Sequence, residues 1–161
     1  MAVVSQAFFD TSVLLAGLIE LGPSAESAQA LFGVIAASRS RPGKQPKTAW
    51  HCCLEFYAVS TRLPPEFRLR PQDALTLVER EIMERFDVRV LEPQLWLGFM
   101  RASAREGIRG GRLYDAHIAE ICRQSGSRLV VTENTRHFAS LEREGIRVLT
   151  AAEALGELRG R

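Results

Sequence analysis

Three carboxylates stand where the surrounding sequence ought to be apolar. Asp10 follows the aromatic pair Phe8-Phe9 and precedes Thr11-Ser12 and a second apolar run, Val13-Leu14-Leu15-Ala16. An acid that closes a strand lies at the carboxyl edge of a sheet, where open α/β folds bind their ligands. Glu55 sits amid Trp50, Cys52, Cys53, Leu54, Phe56, Tyr57, Ala58 and Val59, a stretch apolar almost all round, as in a buried helix. A lone carboxylate there is costly unless it is paired, protonated or bound to a cation. Asp115, within LYDAHIAEIC, shares a helical face with Ile118, Ala119 and Cys122, so it too takes a core-facing position. Converging carboxylates repel one another unless a cation lies between them. The hard cation suited to carboxylates and water is Mg²⁺ or Mn²⁺. Its natural work is to activate water and to neutralise charge on a phosphodiester.

Other chemistries fit less well. Cys52 and Cys53 have no His and third member arranged as a nucleophile set, and no Gly-rich nucleotide loop is present. His51 lies four residues before Glu55 on the same helical face, and is read as packing or facing solvent rather than as a ligand. His117 points roughly opposite to Asp115 and is read as structural. Asp10-Thr11-Ser12 also has the composition of a helix N-cap, a role that Thr11 or Ser12 can fill while steadying the carboxylate.

The elements that must position these acids alternate. Val3 to Phe9 reads as the first strand, with a helix from about Val13 to Glu20 that stops at Gly22-Pro23. Ser24 is expected to cap a second helix with Ala28, Leu31, Phe32 and Ile35 on its apolar stripe, forming a hairpin with the first. A helix covers Thr48 to Arg62, and Pro71 starts the next, with Glu79, Glu81 and Glu84 on its solvated side. Val88–Leu91 is a short strand, 94–105 a helix, Leu113 to Cys122 a helix closed by Gly126, and 128–132 a parallel-type strand. A short helix with Phe138 and Leu141 and a strand over 146–149 follow, and Thr150 with Glu153 makes a capping box for the terminal helix. Strands alternating with helices make this an α/β chain with a mostly parallel central sheet flanked by helices, a single domain over 1–161.

Composition narrows the setting. Hydrophobic residues make up 46% and charged residues 25%, ordinary for a globular protein. Three cysteines without paired spacing argue against a disulfide framework or a zinc site. No stretch reaches the roughly 18 apolar residues of a membrane span, the N-terminus has no basic start or cleavage site of a signal peptide, and a cytoplasmic location is expected. Of the 21 basic residues only Lys44 and Lys47 are Lys. With three of the 19 acids neutralised by a cation, the 21 basic residues leave a balance of +5, which suits a polyanionic substrate. Two breaker-rich basic segments, from Arg39 to Lys47 and from Arg101 to Arg112, are candidate backbone-contacting arms, with Arg41, Lys44, Arg109 and Arg112 as the contacts.

The ordered set FFDTSVLLA, Glu55 in WHCCLEFYAV, LYDAHIAEIC and LVVTENTRHF resembles the PIN domain, particularly the VapC-type toxins of toxin-antitoxin pairs, across essentially the whole chain. The resemblance implies a PIN-like parallel sheet and a Mg²⁺- or Mn²⁺-dependent endoribonuclease acting on RNA, usually dimeric and neutralised by a VapB-type antitoxin. Asp10, Glu55 and Asp115 match the family's acidic cluster, Ser12 or Thr11 the hydroxyl beside the first acid, and Thr132 the strand-ending hydroxyl. Asn134 stands where many PIN domains have a fourth acid. It can hold a water or a substrate oxygen without adding charge, while neighbouring Glu133 is a possible substitute. A PIN fold that binds RNA or assembles without cutting it is the alternative that Asn134 supports.

Overall fold

Five short runs of residues pair side by side, and each pairing is parallel. The computed structural model describes residues 2–38 and 43–160. A helical turn, α1 (Ala2–Ser5), leads into β1 (Ala7–Phe9), α2 (Thr11–Leu18), a 3-10 turn at Pro23–Ala25 and α3 (Glu26–Ala37). Then come β2 (Lys47–Ala49), α4 (Trp50–Ser60), α5 (Pro71–Leu77) with a π-helical continuation over Val78–Met83, and β3 (Asp87–Arg89). A 3-10 turn, Pro93–Leu95, opens α6 (Trp96–Arg105), and α7 (Arg112–Gln124) precedes β4 (Leu129–Val131). After α8 (Thr135–Phe138) and the 3-10 segment Ala139–Glu144, β5 (Arg147–Leu149) hands over to α9 (Ala151–Arg159).

The strands lie in the order β3-β2-β1-β4-β5. Parallel neighbours need crossovers, and helices that supply them cover the sheet's faces. The central pair shows the result, since β1 and β4 are buried at every position. Phe9 lies opposite Val131, so the residues that follow, Asp10 and Thr132, emerge level with each other. From β1 the chain moves toward β2, and from β4 toward β5. Strand order therefore reverses between β1 and β4, the switch point at which such sheets open a ligand crevice.

The core beneath that point is aromatic. Phe9 meets Phe32 of α3 edge-on at 6.2 Å and Phe86, just before β3, at 5.4 Å. The helical hairpin closes over it because α2 carries Gly17. A Cβ at that position would lie 2.3 Å from the Phe32 ring, so only glycine lets the two helices approach so closely.

Several sequence expectations shift. The first strand starts at Ala7, with Ala2–Ser5 in a helical turn, because β4 offers only Leu129–Val131 to pair with. β2 replaces the start of the expected Thr48 helix: Lys47 belongs to the sheet, with Nζ donating to Ser125 O at 2.7 Å. Ala25, not Ser24, occupies the N-cap of α3. α4 is buried on one side only, through Cys52, Cys53 and Phe56, while Trp50, Leu54 and Tyr57 are exposed. The capping box on α9 forms as expected.

Candidate active site

Asp10 is the N-cap of α2 and is buried, 4% exposed. Its Oδ2 accepts from Ser12 Oγ and Thr132 Oγ1, both at 2.8 Å. Ser12 Oγ in turn accepts from the Glu133 N–H and Thr132 Oγ1 from the Asn134 N–H, each at 3.0 Å. A backbone N–H can only donate, so each hydroxyl must turn its own proton to the carboxylate. The turn after β4 thus orients two donors on Asp10. Among the described residues these bonds converge on Oδ2, and Oδ1 accepts none.

Glu55, on α4, is held by Thr11 Oγ1, which donates to Oε2 at 2.6 Å. Asp115, one turn into α7, meets His137 of α8, with Nδ1 2.9 Å from Oδ2. Burial pushes the Asp115 carboxyl above its ordinary range; His137 pulls it down and the Asp10 carboxylate raises it further.

Among the described residues no group of three or more His, Cys, Asp or Glu side chains is drawn together as a ready ligand cage. The donor chemistry nevertheless fits Mg²⁺, which keeps several of its waters and takes one or two carboxylates directly. Among the described residues Asp10 presents an oxygen without a partner, and Glu55 and Asp115 are each met by a single side chain.

Arg109 and Arg112 share with Asp115 and His137 a cleft of about 640 Å³ between α6, α7 and α8. Lys44 is exposed in the segment leading into β2, at the amino edge of the sheet, opposite the carboxylates. Arg41 lies outside the described residues. Glu133 turns away from the site, its Oε1 accepting from Ala151 N at 3.1 Å at the start of α9. Asn134 is exposed at the mouth of α8.

His51 packs against the rings of Tyr114 and His117, each at 5.3 Å, and His117 also meets Phe99 at 5.4 Å. Both histidines thus pack against rings, and among the described residues His51 Nε2 is buried without a hydrogen-bond partner. Cys52 is buried and its thiol is pushed up to about 12, so it is inert as a nucleophile. His137, beside Asp115 in the cleft, is not singled out by the sequence. Its only signal is the buried Phe138 beside it, which orients the turn.

The all-parallel sheet agrees with the fold that the resemblance to the PIN domain implies. The model of that family matches residues 7–144, and the chain belongs to it. A relative is Ribonuclease VapC27 of Mycobacterium tuberculosis (strain ATCC 25618 / H37Rv), 34% identical over 103 residues, 63% of this chain and 72% of that protein. The crystal structure of FitAcB from Neisseria gonorrhoeae is similar with a TM-score of 0.56 at 15% identity, over 90% of this chain and 97% of that one. The structure of FitAB bound to an IR36 DNA fragment gives 0.55 at 15%, over 91% and 95%. At those identities the likeness is one of fold.

Proposed function

We propose that this chain is a VapC-type toxin ribonuclease, a Mg²⁺- or Mn²⁺-dependent endoribonuclease whose residues 1–161 act as one PIN-like unit. The observation that carries the reading is Asp10, buried at the switch point with Oδ2 held by two oriented hydroxyls. Asp10, Glu55 and Asp115 would hold the cation. When bound, it would supply an activated water and neutralise charge developing on the phosphodiester. Ser12 and Thr132 keep Asp10 in place as an acceptor, and Thr11 does the same for Glu55. Asn134, at the mouth, is suited to holding a water or a substrate oxygen. Arg109 and Arg112 offer guanidinium forks to RNA phosphates beside Asp115.

A VapB-type antitoxin is the expected partner, and the cytoplasm the expected place of action; among the described residues no helix is long and apolar enough to cross a membrane. Homodimerisation is supported by an apolar groove of about 460 Å³ lined by Trp50, Leu54, Trp96, Met100 and Tyr114, because patches of this kind mark interaction surfaces. Asn134, exposed at the mouth of the site and without charge, favours a second reading, a PIN fold that binds RNA without cutting it.

Cleavage of end-labelled RNA with Mg²⁺, Mn²⁺ or EDTA separates the two readings. Asp10→Asn is the decisive variant, because Asn caps a helix about as well as Asp and the fold should survive. New RNA ends with metal, lost in EDTA and reduced at least about 100-fold in Asp10→Asn, support the nuclease. RNA binding without cleavage under every condition supports the non-cutting module.

A further inference from the structure

Each of the three carboxylates has a partner that the sequence brings from another element, and for Asp115 that partner is His137. The histidine is not a loosely placed surface side chain. Its own N–H donates to Asn134 O at 2.9 Å, and the adjacent Phe138 and nearby Leu141 are fully buried, so the backbone that carries the ring is fixed from both sides. Nδ1 lies 2.9 Å from Asp115 Oδ2. At this distance a ring N–H on Nδ1 is within reach to donate to the carboxylate.

We propose that His137 is a positioning residue for Asp115: by donating from Nδ1 to Oδ2 it selects the carboxylate orientation that leaves the second oxygen to a divalent cation. It does for Asp115 what Thr11 does for Glu55 and what Ser12 and Thr132 do for Asp10. This inference rests on the metal-dependent reading above. The competing reading is a simple surface ion pair. The side chains are 48% and 30% exposed, and such a pair contributes only about 0–1 kcal/mol to stability and nothing specific to metal binding. Partners that orient a metal-binding group instead change metal affinity, typically by about 10- to 100-fold.

The test compares the full chain with His137→Ala and His137→Asn, titrating Mn²⁺ by calorimetry and following thermal unfolding in parallel. Asn places its Nδ2 along the same bond path as the histidine Nδ1 and so restores the donor. The expected result is Mn²⁺ affinity weakened about 10- to 100-fold in His137→Ala, recovered to within about threefold in His137→Asn, with both variants melting close to wild type. In an Asp115→Asn background, His137→Ala should have no further effect. Unchanged or tighter Mn²⁺ binding by His137→Ala, or an Asn variant no better than Ala, overturns the assignment. A wild-type chain that binds no Mn²⁺, or binds it equally well after Asp10→Asn, overturns the metal reading itself and this inference with it.

Discussion

Thr11 Oγ1 donates to Glu55 Oε2 at 2.6 Å, across 44 positions of sequence. The first residue of α2 therefore sets the orientation of an acid on α4, immediately beside the acid that caps α2. The bond gives this half-buried carboxylate a donor beside Cys52 and Phe56, both fully buried.

Replacing Thr11 with Val removes this donor while keeping the branched shape. RNA cleavage should fall about 10- to 100-fold, with unfolding in urea shifted by no more than about 1.5 kcal/mol. Initial rates on labelled RNA, set beside the urea midpoint, check this. A wild-type rate would mean that Glu55 needs no such support.

Gly17→Ala should act on stability. The added Cβ would stand 2.3 Å from the Phe32 ring, and the ring is pinned against Phe9 and Phe86. Overpacking of this kind costs about 1–3 kcal/mol, which outweighs the better helix propensity of Ala. Thermal or urea denaturation reads the loss directly, and a stabilised variant would contradict the close approach of α2 and α3.

Arg109→Ala and Arg112→Ala should weaken RNA binding and flatten its dependence on salt. For single strands each lost phosphate contact removes about 0.7 from the slope of log K against log salt. Binding isotherms at several salt concentrations give the slope. An unchanged slope in the double variant would remove the cleft beside Asp115 from the RNA path.

Acid sensitivity should include a contribution from the end of the chain. The Thr150 backbone N–H donates to Glu153 and holds its carboxyl below the usual range. A depressed folded-state value stabilises above the unfolded pKa and loses that contribution as pH falls through the folded one. Glu153→Gln should therefore narrow the stability gap between neutral and acidic pH, and Thr150→Ala should cost about 1 kcal/mol at neutral pH. Urea midpoints measured from pH 7 down to acid would show both, and an unaltered pH profile in Glu153→Gln would count against the assignment.

Much of this protein is legible along the chain. β4, α7, the helical hairpin and the α9 capping box rest on local signals: an apolar run bounded by turn residues, a 3.6-residue stripe, a Thr with Glu three residues on. The acids Asp10, Glu55 and Asp115 stand out because each breaks an apolar pattern, and a broken pattern is visible without a structure. β2 was hidden because three residues beginning with Lys carry no periodicity. It is a strand only because β1 and β3 lie on either side to pair with it.

The sequence alone determined that three acids interrupt apolar patterns and that Asp10 closes a strand at the carboxyl edge of the sheet, since residue type and local pattern suffice for both. The tertiary structure decided who holds them. Ser12 and Thr132 meet on Asp10, Thr11 reaches Glu55, His137 reaches Asp115, and Glu133 leaves for α9, because the order β3-β2-β1-β4-β5 sets the ends of β1 and β4 side by side. Hydrogen bonds between residues more than a hundred positions apart depend on that register. No local preference encodes it.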